Sequence, residues 1–196
     1  GAAIRQDMQR CNMNIGFDFV VDGVTTNAGK FYQELSFDAL KNREQEIIAE
    51  RDRYLDYARN AVDGTAGDYT CVLAPLVTAM FTHESFGHKS ESDFMLNDKT
   101  LQEEWVLGKT VGNEKVSICD SGDMENNGYT PFDDEGNPAK ETWLIKNGVL
   151  TGRLHDAKSA SVLGEEITGN ARAEGYYCSP MVRMTNTYLE KGEDAP

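Results

Sequence analysis

The sequence is poor in positive charge, in histidine and in long apolar runs, and each shortage removes a class of function. Lys and Arg number 19 against 33 Asp and Glu, a net charge of −14. Nucleic-acid binding rests on cations that neutralise phosphates, so no direct nucleic-acid partner is expected, and an anionic membrane surface is disfavoured for the same reason. The longest uncharged apolar-rich run, Tyr69 to Thr82, is too short to span a bilayer, which takes roughly 20 apolar residues. No basic start followed by an apolar core and a small-residue cleavage site is visible, so no secretory signal is expected. Cys11, Cys71, Cys119 and Cys178 are scattered with no CxxC pair. They read as reduced thiols in a cytoplasmic setting rather than as a disulfide framework. No phosphate-binding glycine loop and no serine nucleophile elbow is present.

What remains is the composition of a soluble globular chain, 39% hydrophobic and 27% charged. A length of 196 residues allows one domain, or one domain plus part of another. The chain begins at Gly1 rather than Met and stops at Asp194-Ala195-Pro196, which suggests a fragment of a longer protein with a glycine left by recombinant expression.

The pattern predicts an α+β fold. Residues 15–35 read as strands, with Phe17, Phe19 and Val21 alternating, a hairpin turn at Asp22-Gly23 and a break at Gly29. Residues 37–63 read as one long helix capped by Ser36 and closed by Gly64. Ile47, Ile48, Tyr54, Leu55, Ala58, Ala61 and Val62 form its core-facing stripe. A composition shift at residues 64–67 marks a domain boundary, dividing 1–66 from 67–196. Residues 69–75 read as a buried strand ended by Pro75, residues 76–96 as a helix, and residues 115–119 as a strand. Residues 141–154 form a hairpin about Asn147-Gly148, and residues 156–163 a short helix. Asp133-Asp134-Glu135-Gly136 reads as a solvated turn, since it lacks the ligand spacing of a calcium loop.

One stretch carries chemistry: His83-Glu84-Ser85-Phe86-Gly87-His88. It holds two of the three histidines in the chain. Neutral imidazole is a common zinc ligand, and a neighbouring carboxylate can take a proton from an activated water. The spacing makes a demand. Histidines at i and i+4 lie about 40° apart around a helix, whereas i and i+5 lie about 140° apart. His83 and His88 can face one ion only if the helix widens into a π-type turn or ends near Gly87. The bland alternative is two unrelated histidines with Glu84 a solvated helix residue. On these six residues alone the two readings stand level.

Three separated segments, in order, tip the balance. His83 to Phe94 (HESFGHKSESDF), Phe132 to Ala160 (FDDEGNPAKETWLIKNGVLTGRLHDAKSA) and Thr168 to Gly192 (TGNARAEGYYCSPMVRMTNTYLEKG) resemble the motifs of the TldD/PmbA family, metallopeptidases once called modulators of DNA gyrase. Keeping the HExxxH stretch is what the TldD type does and the PmbA (TldE) type does not. The resemblance implies that His83 and His88 are metal ligands, Glu84 the general base, and zinc the cofactor, one per full-length chain. It implies a peptide substrate, unfolded or extended, and a homodimer or a heterodimer with a PmbA/TldE-type subunit. It also makes residues 1–66 the end of an N-terminal α/β domain. Residues 67–196 become the first part of a sheet-rich C-terminal metallopeptidase domain, cut short.

In the family the third ligand is a cysteine far downstream of the Arg-Met-Thr-Asn-Thr signature, and Cys178 does not match that position. Catalytic zinc takes three protein ligands, so His155, Glu91 and Asp93 are candidates to complete the site within this chain, with structural roles favoured for each. Glu91, three residues after His88, is also placed to hydrogen-bond it. The chain by itself is therefore expected to bind zinc weakly or not at all. The competing function is a non-catalytic peptide-binding or assembly subunit with an incomplete metal site.

Overall fold

The computed structural model describes residues 3–192. They fall into two compact units, the first running to Cys71 and the second starting at Val72.

The first unit is a hairpin with a helix. Strands β1 (Cys11–Val21) and β2 (Val24–Glu34) pair antiparallel without a slip from Cys11–Glu34 to Val21–Val24. Asp22 and Gly23 both take positive φ (51° and 81°), the mirror-image turn whose twist suits two strands. Gly29 does not break β2 as expected: it pairs with Gly16 inside the ladder. Helix α1 (Glu44–Asn60) lies beside the hairpin, where Tyr54 Oη donates to the Gly29 carbonyl at 3.2 Å and Lys30 meets Glu50 at 3.2 Å. The single helix expected over 37–63 is divided. A 3-10 turn, Asp38–Leu40, comes first, and Ser36 Oγ accepts the Ala39 N–H there instead of capping α1. Asn42 then adopts a left-handed conformation (φ 59°), which no α-helix passes through. The far end also differs. Ala61 is extended and closes α1, so Gly64 is not its cap. The predicted stripe is half-buried at Ile47, Tyr54, Leu55 and Ala58 and exposed at Ile48 and Val62, because a two-stranded hairpin covers only one side of a helix.

The segment expected to be a buried strand over 69–75 is neither buried nor a strand. Tyr69, Val72 and Leu73 are exposed, and Pro75 opens helix α2 (Pro75–Thr82) rather than ending a strand. Proline suits a first helical position because its φ is already helical and its missing N–H would have had no partner there. Short helix α3 (Lys99–Glu104) is capped by Asp98, whose side chain accepts the Leu101 N–H.

An antiparallel sheet comes next in the order β5-β4-β3-β8, from β3 (Ile118–Ser121), β4 (Glu141–Lys146), β5 (Val149–Leu150) and β8 (Thr187–Leu189). Asn147 and Gly148 make the predicted hairpin turn, with φ of 50° and 76°. Beyond it, helix α4 (Ala157–Leu163) is held by a reciprocal capping box between Asp156 and Ser159. Strands β6 (Ala171–Arg172) and β7 (Met181–Val182) form a separate small ribbon.

The register between β3 and β4 shifts: Ile118 pairs with Ile145 but Cys119 with Trp143, leaving Leu144 as the extra residue of a bulge. Strict alternation would send Leu144 and Ile145 to opposite faces. Both are fully buried, and both join a core with Met95, Trp105, Ile118, Leu150, Leu154, Val182 and Met184. The buried Cys119 thiol is pushed up to about 11 by desolvation, and all four cysteines are free. Asp133 is buried rather than solvated as expected: one of its oxygens accepts the Glu135 and Asn137 N–H groups and the other the Ala171 N–H.

Both tryptophans, Trp105 and Trp143, lie in the second unit, so tryptophan fluorescence reports on that unit alone. Leu144→Ala removes a side chain with no exposed surface and should cost about 2–5 kcal/mol, read as a lower urea midpoint of the fluorescence transition. A change under about 1 kcal/mol would remove Leu144 from the core.

Candidate metal centre

Helix α2 does not continue as an α-helix through the motif. From His83 to Gly87 it widens into a π-type turn, with the His88 N–H donating to the His83 carbonyl five residues back. A 3-10 turn, His88–Ser90, tightens the chain again at once. The irregularity that the i, i+5 spacing demands is therefore present, and it sits where Gly87 predicts it.

The reason lies in the packing. A β-carbon on Gly87 would overlap the Met184 thioether, so any other residue there requires the Met184 side chain to shift. Phe86 points inward as well, tilted against Trp105 with ring centroids 6.3 Å apart. The chain leaving the motif is then tied down. Ser90 Oγ donates to the Phe86 carbonyl and accepts the Trp105 indole N–H. Glu91 forms a parallel bridge with Leu154, with the Leu154 N–H donating to the Ser90 carbonyl and the Ser92 N–H to the Leu154 carbonyl.

The turn brings His83, Glu84 and His88 together. One donor atom from each lies within 4.8 Å of the others. The imidazoles meet edge to face with centroids 4.7 Å apart, and Glu84 Oε2 is 3.9 Å from His88 Nε2. His83 and Glu84 are exposed and His88 is half-buried, so the group is open to an incoming ion or substrate. His88 Nδ1 lies 2.8 Å from Glu91 Oε2, leaving Nε2 on the side of Glu84. Two imidazoles and an adjacent carboxylate at an open surface are a donor set that fits zinc.

The other candidates lie elsewhere. His155 is buried, with Nδ1 2.9 Å from Ser92 Oγ and 3.1 Å from Ser159 Oγ, and Nε2 3.1 Å from Glu165. Asp93 caps the 3-10 turn Phe94–Asn97 and accepts the Val182 N–H at 3.2 Å. Glu91 is fully buried, and its other oxygen accepts the Met184 N–H at 3.2 Å. Among the described residues, no further histidine, cysteine or carboxylate joins the three. The sequence offers Arg172 and Arg183 as residues able to hold a carboxylate, with ordinary surface pairing at least as favoured; it gives no sign of Met184. Arg183 Nη1 is 3.7 Å from Glu91 Oε2, and Arg172 is exposed. Nothing in local spacing could have joined Arg183 or Met184 to a motif so far back in the chain.

The comparisons with known proteins give the family to which this chain belongs. Residues 66–196 match the family described as the PmbA/TldA metallopeptidase C-terminal domain. This chain belongs to that TldD/PmbA family. It is 44% identical over 126 residues to a metalloprotease of Synechocystis, covering 64% of this chain and 27% of that protein. It is 31% identical over 195 residues to a metalloprotease of Methanocaldococcus jannaschii, covering 98% of this chain and 43% of that protein. A zinc metalloprotease TldD homolog of Saccharolobus solfataricus is 38% identical over 130 residues, 65% of this chain and 29% of that protein. The chain thus spans less than half the length of these relatives. Two solved structures share the fold. A modulator of DNA gyrase from Thermotoga maritima aligns with a TM-score of 0.74 at 24% identity, over 94% of this chain and 41% of that one. TldE from Thermococcus kodakarensis aligns with a TM-score of 0.70 at 18% identity, over 94% and 41%.

The packing sets two expected outcomes. Gly87→Ala should destabilise the second unit by about 1–3 kcal/mol, as overpacking does, and Gly87→Ala combined with Met184→Ala should cost less than the sum of the two single changes. Additive costs in urea unfolding would separate Gly87 from Met184. Burial also holds the pKa of His155 below its ordinary 6.5, against the opposing pull of Glu165. The unfolded chain then takes up the proton first, so this contribution to stability is complete above pH 6.5 and declines as pH falls below it. His155→Gln should flatten the stability–pH curve in that window, whatever its effect on absolute stability. An unchanged slope would place the titration on another group.

Proposed function

We propose that this chain is part of a TldD-type zinc peptidase that hydrolyses unfolded or extended peptides. The single observation that carries the reading is the π-type turn, which gathers His83, Glu84 and His88 within reach of one ion. His83 and His88 would hold the zinc, which when bound polarises a scissile carbonyl and makes water acidic enough to act near neutral pH. Glu84 takes the proton from the attacking water and returns one to the departing amine. His83 and Glu84 project from the turn into solvent, where an extended backbone can approach. Gly87 and Phe86, on the buried side, keep the turn in place.

Catalytic zinc takes three protein ligands, and the family resemblance supplies the third as a cysteine downstream of residue 196. Residues 67–196 then form the first part of the C-terminal metallopeptidase domain, and residues 1–66 the end of the N-terminal one. A homodimer or a TldE-type partner, and a cytoplasmic setting, belong to the same reading. No described helix is long and apolar enough to cross a membrane. The alternative, a non-catalytic peptide-binding subunit, draws on the two-histidine donor set alone.

In the full-length protein, elemental analysis should find about one zinc per chain, as a single catalytic site requires, and His83→Ala should lose it. Glu84→Gln should keep the metal and slow hydrolysis of an unfolded polypeptide by about 10²–10⁴-fold, the usual worth of a general base. Zinc-free wild-type protein, or full activity in Glu84→Gln, would overturn the enzyme reading. A metal-loaded but inactive wild type would favour the binding subunit.

A further inference from the structure

We propose that Arg183 is a specificity residue of this site, taking a carboxylate of the bound peptide close to the scissile bond. The inference rests on the peptidase reading above and adds a ligand preference that the His83-Glu84-His88 group does not itself contain.

Arg183 is anchored beside the motif. Its Nη1 stands 3.7 Å from Glu91 Oε2, and the same oxygen lies 2.8 Å from His88 Nδ1. One carboxylate oxygen thus separates the guanidinium from an imidazole of the motif. The backbone there is pinned. The Arg183 N–H donates to the Asn170 carbonyl at 2.9 Å, the buried Asn170 side chain donates back to the Arg183 carbonyl at 3.0 Å, and Asp93 accepts the Val182 N–H at 3.2 Å. The side chain is held as well. Its Nη1 donates to the Val182 carbonyl at 2.7 Å, and the guanidinium lies 5.9 Å from the centre of the Phe94 ring.

These contacts leave most of its donors unused. A guanidinium carries five N–H groups, and Glu91 at 3.7 Å is beyond hydrogen-bond reach. Among the described residues, the Val182 carbonyl is the acceptor its side chain uses. Nε and the second Nη remain as an adjacent pair, a fork that takes a carboxylate through two parallel hydrogen bonds. The side chain keeps 27% of its surface open, so a ligand can reach it.

The surrounding charge sharpens the preference. Glu84, Glu91 and Asp93 lie in the motif or just after it, in a chain of net charge −14. An incoming carboxylate is repelled by that field unless a fixed cation receives it. Arg183 lies on the Nδ1 side of His88, away from Nε2, which faces Glu84. It is therefore placed for a group on a residue near the scissile bond rather than for the scissile carbonyl. The fork reads a C-terminal carboxylate and an acidic side chain alike.

The test uses the full-length protein carrying Glu84→Gln to stop turnover, and a fluorescein-labelled peptide of glycine, serine and alanine. The peptide is made with a free C-terminus, with an amidated C-terminus, and amidated with one glutamate moved along its length. Fluorescence anisotropy, with zinc-loaded and with zinc-stripped protein, should show one carboxylate form binding about 10–100-fold tighter than the plain amide, the worth of hydrogen bonds to a charged group. A preference for the free C-terminus makes the chain end the source; a preference for one glutamate position makes it an acidic side chain. Arg183→Gln should abolish the preference, and Arg172→Gln, at another exposed arginine, should keep it. No preference before Arg183 is changed, or no binding by any form, overturns the proposal, so an Arg183→Gln protein that fails to fold leaves it testable. A preference that survives in folded Arg183→Gln, or is lost equally in Arg172→Gln, also overturns it. Hydrolysis by the wild type without a carboxylate preference overturns this proposal and leaves the peptidase reading standing. A preference in protein that neither holds zinc nor hydrolyses peptide overturns the peptidase reading and leaves Arg183 as the carboxylate-binding residue.

Discussion

The backbone hydrogen bond from the His88 N–H to the His83 carbonyl governs how His83, Glu84 and His88 come together. In an α-helix the same N–H would reach one residue less far back, and the two rings would diverge by about 140°. The wider turn costs regular helical hydrogen bonding. Contacts on its buried side offset that cost: Gly87 against Met184, Phe86 against Trp105, and Ser90 bonded to both the Phe86 carbonyl and the Trp105 indole. The His83-Glu84-His88 group on the exposed side is thus supported by the hydrophobic core on the other.

That core is held by the four-stranded sheet. The bulge at Leu144 turns two consecutive side chains inward and thickens the core beneath the motif. Leu154, just past the hairpin, bridges to Glu91. Met184, just before β8, fills the space against Gly87 and donates its N–H to the Glu91 carboxylate. The motif is therefore clamped by two segments remote from it in sequence. Each leads into or out of a strand of the same sheet, so that sheet sets the position of the site.

Much of this is legible in the sequence, and what is not has physical causes. The hairpins at Asp22-Gly23 and Asn147-Gly148 can be read because positive φ at two successive positions narrows the residue choice sharply. The irregularity near Gly87 can be read because helical arithmetic lets the histidines meet only if the helix widens or ends there. The run from Tyr69 to Leu73 misleads because a short apolar stretch does not by itself distinguish strand from other structure, and Pro75 serves equally as an ending or a beginning. The division of the first helix turns on Asn42, whose left-handed backbone gives no pattern signal. Local spacing places Glu91 beside His88. It does not reveal that the Met184 N–H holds the other oxygen of that carboxylate, or that Arg183 stands beside the oxygen that faces His88.

As a matter of insertion and deletion, the π-type turn is one residue more than a regular helix would need between its two histidines. Removing Ser85 or Phe86 would restore the i, i+4 spacing and a straight helix. It would leave the downstream face almost unchanged, since five residues of the wider turn and four of an α-helix each close about one turn. The extra residue is thus absorbed inside the turn, and the segment from Ser90 to Ser92 keeps its direction toward Trp105, Met184 and Leu154.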